Sequence, residues 1–189
     1  MKRLRTAIYG GSFNPMHQGH TRLGRWLCDE GYADELWFLV SPLNPLKADQ
    51  QSTILPDQLR LHLATIAIEA EDYIQAQGEK GQLRVSDFEI SLPRPSYMVH
   101  TLKALRSTYP HRDFILVIGA DNWHCFRSWK EPDEILRHHP IIIYPREGYP
   151  IDSSTLPSNV TFVTDAPRFN ISSTTIREAI AAGTYQGPW

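Results

Sequence analysis

The sequence has 189 residues, of which 41% are hydrophobic and 21% charged, a composition typical of a globular protein, and the length predicts one domain over residues 1–189. A formal net charge of −2 argues against a nucleic-acid partner. No apolar run reaches the roughly 18 residues of a transmembrane helix, so we expect no membrane partner. The start, MKRLRTAIYGG, lacks the features of a signal peptide, and two cysteines match no zinc or disulfide pattern. We therefore expect a cytoplasmic protein.

Short apolar runs alternate with helix-like stretches along the chain. Several runs are nearly continuous in β-branched and aromatic residues, which is typical of strands buried on both faces. This alternation predicts an α/β fold, a Rossmann-like doubly wound parallel sheet in a single domain. The predicted strands span 5–9, 36–40, 83–88, 114–118, 141–144 and 160–163, and the predicted helices span 21–27, a stretch from Pro56 onward, 96–107, 132–138 and a stretch beginning in ISSTT at 171–175.

Three of these predicted helices carry apolar residues at helical spacing, which predicts the faces that they turn to the core. Segments 41–55 and 146–158 are rich in Pro, Asp and Ser. We expect them to be loops over the carboxyl edge of the sheet, where such folds bind ligands. The predicted core faces are Leu59, Leu63, Ile66 and Ala70; Met98, Leu102 and Leu105; and Ile176, Ala179 and Ile180.

The stretch GGSFNPMHQGH, residues 10–20, joins the first predicted strand to the first predicted helix. Gly10 and Gly11 allow a sharp turn and a close approach of a ligand to main-chain N–H groups. His17 and His20 lie about one helical turn apart, with His20 in phase with the apolar inward face. Histidine donors aimed at a phosphate fit best, since the helix start also attracts anions. A zinc site, which would need further ligands, and a packed core histidine are the alternatives.

A second polar cluster, FNISSTTIREAI at residues 169–180, has the pattern of a helix start. Ser172 or Ser173 can cap the helix, and Thr175 and Glu178 have the spacing of a capping box. Arg177 lies near the first turn, where the helix dipole disfavours a cation. Its position is explained if hydroxyls, free N–H groups and the guanidinium converge on one phosphate. A plain capped helix with a solvated arginine is the alternative.

The two clusters together resemble a nucleotidyltransferase superfamily whose motifs are (T/H)-x-G-H and I-S-S-T-x-x-R. Here they stand as HQGH at 17–20 and ISSTTIR at 171–177. Within that superfamily the chain most resembles the bacterial nicotinate-nucleotide adenylyltransferases. The further stretches that carry this resemblance are PLNPLK at 42–47, SYMVHTL at 96–102, IGADNWHCFRSW at 118–129 and IIIYPREGYP at 141–150.

The resemblance implies that the protein joins the adenylyl group of ATP to nicotinate mononucleotide, releasing pyrophosphate. It implies Mg²⁺ accompanying ATP, without a metal site built from protein side chains. The small-molecule partners are then ATP and nicotinate mononucleotide, and a homo-oligomer stays open. The resemblance assigns catalytic roles to His17, His20, Lys47 and Arg177, and ATP binding to Gly10, Gly11, Ser12, Phe13, His17, Gly19, His20, Gly119, Asp121, Ile171, Ser172, Ser173, Thr174 and Arg177.

The nicotinate pocket follows from the same resemblance. The pyridine ring is expected on Trp129, and main-chain N–H groups near Met98 and Lys130 are expected to hold the carboxylate; a packed core tryptophan is the alternative. Two positions depart from the family pattern: Asn14 stands where Asp is usual, and Met98 where Thr is frequent, which removes a hydroxyl contact. The full mononucleotide set is Asn14, Lys47, Tyr97, Met98, Trp129, Lys130 and Arg146.

Four other functions compete with this interpretation. A phosphopantetheine adenylyltransferase tends to carry Thr at position 17, and an adenylyltransferase for nicotinamide mononucleotide differs only in its base pocket. A non-catalytic nucleotide sensor could lose His20, Lys47 or Arg177, and all three are present. A fragment of a class I tRNA synthetase would need a Lys-Met-Ser-Lys-type loop and an anticodon domain. These comparisons favour the adenylyltransferase for nicotinate mononucleotide.

Overall fold

Six parallel strands form one sheet in the order β3-β2-β1-β4-β5-β6. The computed structural model describes residues 3–42, 54–74 and 82–186. The strands are β1 (Leu4–Gly11), β2 (Glu35–Val40), β3 (Leu83–Ser86), β4 (Arg112–Gly119), β5 (Ile141–Tyr144) and β6 (Val160–Phe162), and the α-helices are α1 (Gln18–Asp29), α2 (Asp57–Ile74), α3 (Met98–Thr108), α4 (Ala120–His124), α5 (Pro132–His138) and α6 (Ser173–Ala181).

The strand order reverses between β1 and β4. The chain runs outward from β1 through β2 to β3, then returns to β4 beside β1 and continues outward to β6. In open α/β sheets, the loops at the carboxyl ends of the two central strands diverge at such a point and leave a crevice. The sheet thus predicts a binding site above the ends of β1 and β4.

Helices cover both faces of the sheet. Alternate residues of each strand point to opposite faces, so Ala7 joins one apolar cluster and Ile8 the other. The first cluster receives Leu23 from α1 and Ala64 from α2. The second receives residues from α3 and α5. The predicted Rossmann-like doubly wound α/β fold is therefore confirmed.

The predicted core face of α2 is wrong. Leu59 and Ile66 are 41% and 42% exposed, Leu63 is half-buried and Ala70 is exposed. Two charged side chains, both with partners, occupy the buried side, and this arrangement could not be inferred from apolar spacing. The residues that α2 buries are Arg60, Ala64, Ala67, Ile68 and Glu71.

Smaller differences concern helix faces and short helices. In α6, Ile176 is buried, whereas Ile180 is 50% exposed. In α3, Leu102 and Leu105 are buried as predicted, and Met98 lines a cavity. In the described parts of the chain, the short helices that the apolar pattern did not reveal are α4 and the 3₁₀ helices Phe88–Ser91, Phe126–Ser128 and Ser153–Thr155. Among the described residues, no helix has the length and apolar character needed to cross a bilayer.

Candidate active site

A cavity of about 390 Å³ opens above the carboxyl ends of β1 and β4, at the point where the strand order reverses. Its volume lies within the usual range of small-molecule sites. The lining comes from both ends of the chain and from the loops between. The predicted site residues in this lining are Gly10, Gly11, Ser12, Phe13, Asn14, His17, His20, Tyr97, Met98, Gly119, Asp121, Trp129, Lys130, Arg146, Ser172, Ser173, Thr174 and Arg177.

The loop after β1 turns sharply into α1 and brings the two histidine rings into contact, with their planes tilted by 31°. Phe13 has a φ of 41°, a conformation that side-chain-bearing residues rarely adopt and that is typical of functional loops. Its ring is buried and meets the ring of His20 edge-on, with the centroids 5.1 Å apart. The centroids of the His17 and His20 rings are 3.8 Å apart. The loop therefore holds both imidazoles as a pair at the start of α1.

A hydrogen bond sets the tautomer of His20. The main-chain N–H of His17 donates to Nδ1 of His20 at 3.2 Å. Because a neutral imidazole has one acceptor and one donor nitrogen, Nε2 of His20 carries the proton and is the donor. His20 lines the cavity, so its Nε2–H is suited to bind an oxygen of a ligand.

Both histidines are neutral at physiological pH. Burial lowers the pKa of His17 to about 4, with a further contribution from the charge of Arg146. Burial likewise lowers the pKa of His20 well below its usual value, helped by His17 and Arg146. As neutral groups they can each offer an N–H to a phosphate, and the cationic side chains in the described lining are Lys130, Arg146 and Arg177.

The start of α6 is tied directly to the histidine loop. Ser172 caps the helix, since its hydroxyl accepts a hydrogen bond from the Thr175 N–H at 3.1 Å. The Thr175 hydroxyl in turn accepts one from the Ser172 N–H at 3.1 Å. The Ser173 hydroxyl donates to the carbonyl of Pro15 at 2.8 Å, and Nη1 of Arg177 donates to the carbonyl of Asn14 at 2.8 Å. These contacts bring the two predicted phosphate clusters to one side of the cavity.

The opposite wall is aromatic and basic. Trp129 is half-buried beside Phe126, with their ring centroids 5.3 Å apart. Nζ of Lys130 lies 5.5 Å from the centre of the Tyr97 ring. Tyr97 precedes α3 and has no side-chain cap, so the first N–H groups of α3 are free of a capping side chain. Trp123 lies elsewhere, in a second and more open groove beside His124.

Two carboxylates lie in the cavity wall, with different surroundings. Glu89 is buried and accepts hydrogen bonds from the hydroxyls of Ser41 and Thr101. Asp121 accepts no hydrogen bond on its buried Oδ1 from the described residues, and Nε of Arg146 lies 3.6 Å away. Within the described part of the chain, no three His, Cys, Asp or Glu side chains gather closely enough to hold a metal ion.

Three predicted site residues do not line the cavity in the described structure. A Cβ on Gly19 would lie 3.0 Å from the His17 ring and 3.2 Å from a methyl of Ile171. Gly19 and Ile171 thus pack against each other behind the histidine pair. Lys47 lies outside the described residues, as does much of the predicted loop 41–55.

Sequence reasoning missed several cavity residues. Tyr9 and Tyr144 belong to the apolar runs of β1 and β5, and this pattern predicts buried core residues. Each nevertheless lies near the carboxyl end of a parallel strand, where ligands bind. Glu89 lies three residues after the end of β3, in the 3₁₀ helix Phe88–Ser91, and so also stands near the carboxyl edge of the sheet. The cavity residues that were not predicted as site residues are Tyr9, Ser41, Ile54, Glu89, Ser96, Leu116, Val117, Ile118, Asn122, Ser128 and Tyr144.

Comparison with known proteins gives relatives over nearly the full chain. Residues 8–179 match the family model described as cytidylyltransferase-like. A Bacteroides fragilis protein named "Probable nicotinate-nucleotide adenylyltransferase" is 48% identical over 183 residues, 97% of this chain and 85% of that protein. A Porphyromonas gingivalis protein of the same name is 43% identical over 178 residues, 94% of this chain and 85% of that protein.

A solved structure shares the fold. The nicotinic acid mononucleotide adenylyltransferase of Plasmodium falciparum, complexed with NaAD, superposes with a TM-score of 0.75. The match covers 93% of this chain and 83% of that one, at 21% sequence identity. The sheet and its surrounding helices are therefore common to both proteins.

Proposed function

Because this chain belongs to the nicotinate-nucleotide adenylyltransferases, within the cytidylyltransferase-like family, we propose that its cavity transfers the adenylyl group of ATP to nicotinate mononucleotide. The products are the dinucleotide deamido-NAD and pyrophosphate. The observation that carries the proposal is the contact between Arg177 and the carbonyl of Asn14 at 2.8 Å. It brings the cation of the second cluster to the histidine pair of the first, beside a cavity that also reaches Trp129.

The chemistry needs positioning more than acid–base catalysis. The mononucleotide phosphate, whose second pKa is about 6, is already a nucleophile at pH 7. One of its oxygens attacks the α-phosphorus of ATP, the bond from that phosphorus to the bridging oxygen breaks, and the electron pair leaves with pyrophosphate. Fixed donors around the α-phosphate and the leaving group stabilise the developing charge. The neutral histidines and Arg177 are donors of this kind.

The phosphate end of ATP belongs at the two clusters. The Nε2–H of His20 and a ring N–H of His17 are proposed to donate to phosphate oxygens. Arg177 and the N–H groups at the start of α6 are proposed to hold the β,γ end, because a helix start favours anions. Lys47, outside the described residues, stays a sequence prediction of a further phosphate contact.

The two bases belong on either side of the phosphates. Gly119 and Asp121, at the end of β4, are proposed to lie by the adenosine. Trp129 is proposed to stack on the pyridine ring, and the free N–H groups at the start of α3, near Met98, are proposed to bind the nicotinate carboxylate. A carboxylate offers two acceptor oxygens to these donors, whereas the amide of nicotinamide offers one oxygen and an NH₂ group that cannot accept.

Mg²⁺ is proposed to enter with ATP. The donors at the clusters are imidazoles, hydroxyls, main-chain N–H groups and guanidinium, which suit phosphate oxygens rather than a hard cation. The ion would be carried mainly by phosphate oxygens and water. When bound, it neutralises charge on the triphosphate.

Location and partners follow the same proposal. ATP and nicotinate mononucleotide are the partners that the cavity suits, and nucleic acid stays disfavoured by the net charge of −2. Cys28 and Cys125 are both free thiols, which is typical of a reducing compartment. A cytoplasmic location, and the open question of a homo-oligomer, stay predictions of the sequence.

The deciding experiment measures pyrophosphate release from ATP with three acceptors offered separately: nicotinate mononucleotide, nicotinamide mononucleotide and phosphopantetheine. We expect nicotinate mononucleotide to be the preferred acceptor by kcat/KM. Preference for either of the other two would contradict the assigned substrate. No release with any of them, together with measurable ATP binding, would identify a nucleotide sensor instead.

A further inference from the structure

Two buried tyrosines and an arginine form a chain of contacts along one wall of the cavity. The hydroxyl oxygens of Tyr9 on β1 and Tyr144 at the end of β5 lie 2.8 Å apart, and both rings are buried. Nη2 of Arg146 donates to the Tyr144 hydroxyl at 3.1 Å. The guanidinium carbon of Arg146 lies 5.1 Å from the centre of the same ring. One tyrosine therefore holds Arg146 through both its hydroxyl and its ring face.

Gly119 makes the contact between the tyrosines possible. β4 runs between β1 and β5, with Val117 opposite Tyr9 and Gly119 opposite Tyr144. A Cβ on Gly119 would lie 3.1 Å from the Tyr144 hydroxyl oxygen and 2.3 Å from Oδ1 of Asp121. The missing side chain leaves the space in which Tyr144 leans across β4 to meet Tyr9.

Arg146 is held from a second side by Asp121, whose Oδ1 lies 3.6 Å from Nε. The side chain of Arg146 is still 42% exposed and lines the cavity. Its charge helps to lower the pKa of both His17 and His20, so the guanidinium lies within electrostatic range of the histidine pair. Burial raises the pKa of both tyrosines, so both hydroxyls keep their protons.

We propose that Tyr144, supported by Tyr9, is a positioning residue that directs the guanidinium of Arg146 toward the phosphates bound beside His17 and His20. This inference rests on the proposed function and deepens it. A guanidinium held before the reaction begins needs no reorganisation when charge develops on the phosphates. The site would then have two fixed cations on different walls, Arg146 after β5 and Arg177 in α6.

The test removes one hydroxyl and keeps the ring. Tyr144→Phe is expected to lower kcat by about tenfold or more, because a released guanidinium stabilises the transition state less well. The resemblance gave Arg146 to the mononucleotide; if it acts instead on the ATP phosphates, the KM for nicotinate mononucleotide should change by less than about threefold, and a larger rise would overturn this assignment. Tyr109→Phe, on the opposite face of the sheet, is the matched control and should leave kcat unchanged. An unchanged kcat in Tyr144→Phe would overturn the proposal.

A double-mutant cycle separates positioning from a general structural role. If Tyr144 acts through Arg146, then adding Tyr144→Phe to Arg146→Ala should lower kcat by less than about twofold. A full additional loss in that background would overturn the proposal. Should Tyr144→Phe fail to fold, Tyr9→Phe replaces it in the same cycle, with a smaller loss expected because the bond between Tyr144 and Arg146 survives.

A binding measurement keeps this inference distinct from the assigned substrate. Calorimetric titration with inorganic pyrophosphate needs no acceptor and no turnover. Tyr144→Phe is expected to weaken pyrophosphate binding by about tenfold relative to wild type and to Tyr109→Phe. Suppose that the wild type transfers no adenylyl group, yet Tyr144→Phe still binds pyrophosphate more weakly than the wild type does. The proposed substrate is then wrong and the positioning role stands. Equal affinities in all three proteins would contradict the positioning role.

Discussion

The hydrogen bond from the His17 N–H to Nδ1 of His20 decides which nitrogen of His20 carries a proton. At the residue scale, this is the contact on which the chemistry of the site depends most. Burial keeps both rings neutral, so each histidine can offer a ligand a hydrogen-bond donor instead of a charge. The HQGH spacing indicated that the two rings lie together. The tautomer of His20 could be assigned only from the geometry of the turn, which shows the hydrogen bond to Nδ1.

Substitutions at His20 test the tautomer. His20→Ala is expected to lower kcat by about 10²- to 10³-fold with the fold intact, the usual effect of losing one donor to developing charge. His20→Gln, whose amide nitrogen can replace Nε2, should retain roughly tenfold more activity than His20→Asn, whose amide lies near Nδ1. Steady-state kinetics and a thermal melt check both points. Equal activity in the Gln and Asn variants would argue against an Nε2 donor.

At the element scale, α2 shows how a helix can bury charge and expose leucine. Arg60 is fully buried, and its guanidinium donates to the carbonyls of Ser12 and Ser41 and to the carboxylate of Asp57. The helix thereby braces the loops after β1 and β2, which form one side of the cavity. Apolar spacing alone predicted that the face with Leu59 is buried. A sequence pattern cannot show that an arginine will find the hydrogen-bond partners that allow its burial.

Two substitutions one residue apart test this orientation of α2. Arg60→Met is expected to reduce the free energy of unfolding by about 3–5 kcal/mol, because the carbonyls of Leu55, Ser12 and Ser41 lose their shared donor and one oxygen of Asp57 loses its ion pair. Leu59→Gln, the matched control on the exposed side, should change it by less than about 0.5 kcal/mol. Urea unfolding measures both. A larger loss from Leu59→Gln than from Arg60→Met would mean that the helix faces the other way.

At the scale of the whole molecule, the site exists only because distant parts of the chain meet. Ser173 and Arg177 donate to the carbonyls of Pro15 and Asn14 across more than 150 residues of sequence. These contacts bring the start of α6 to the histidine loop, where His17 is buried and His20 is partly buried. The same burial that makes the histidines neutral donors also couples folding to pH.

The folded protein should lose stability as the pH falls from about 6.5 toward 4. His17 has a pKa of about 4 in the fold and 6.5 as its reference value, so the unfolded chain binds the proton first in this window, and protonation favours unfolding. Between pH 7 and pH 5 this single group is expected to lower the free energy of unfolding by about 2 kcal/mol.

Urea unfolding of the wild type and of His17→Gln at pH 7 and pH 5 isolates this contribution. The decrease between the two pH values should be about 2 kcal/mol smaller in the variant, because carboxylates titrate alike in both proteins. Equal decreases would show that His17 keeps an ordinary pKa in the fold. His20 remains in both proteins, but His17 helps to lower its pKa, so the His20 contribution also shrinks in the variant and adds to the difference in the same direction.

The sequence by itself determined the α/β class, the six strands and the two phosphate clusters, because these depend on local signals: apolar runs, glycines at a turn and a capped helix start. Only the tertiary structure decided that Arg60 faces inward, that His20 donates through Nε2, and that Tyr9 and Tyr144 meet across Gly119. Each of these depends on partners far away in the chain. Burial, pKa and hydrogen-bond partner are properties of those contacts, and no local pattern specifies them.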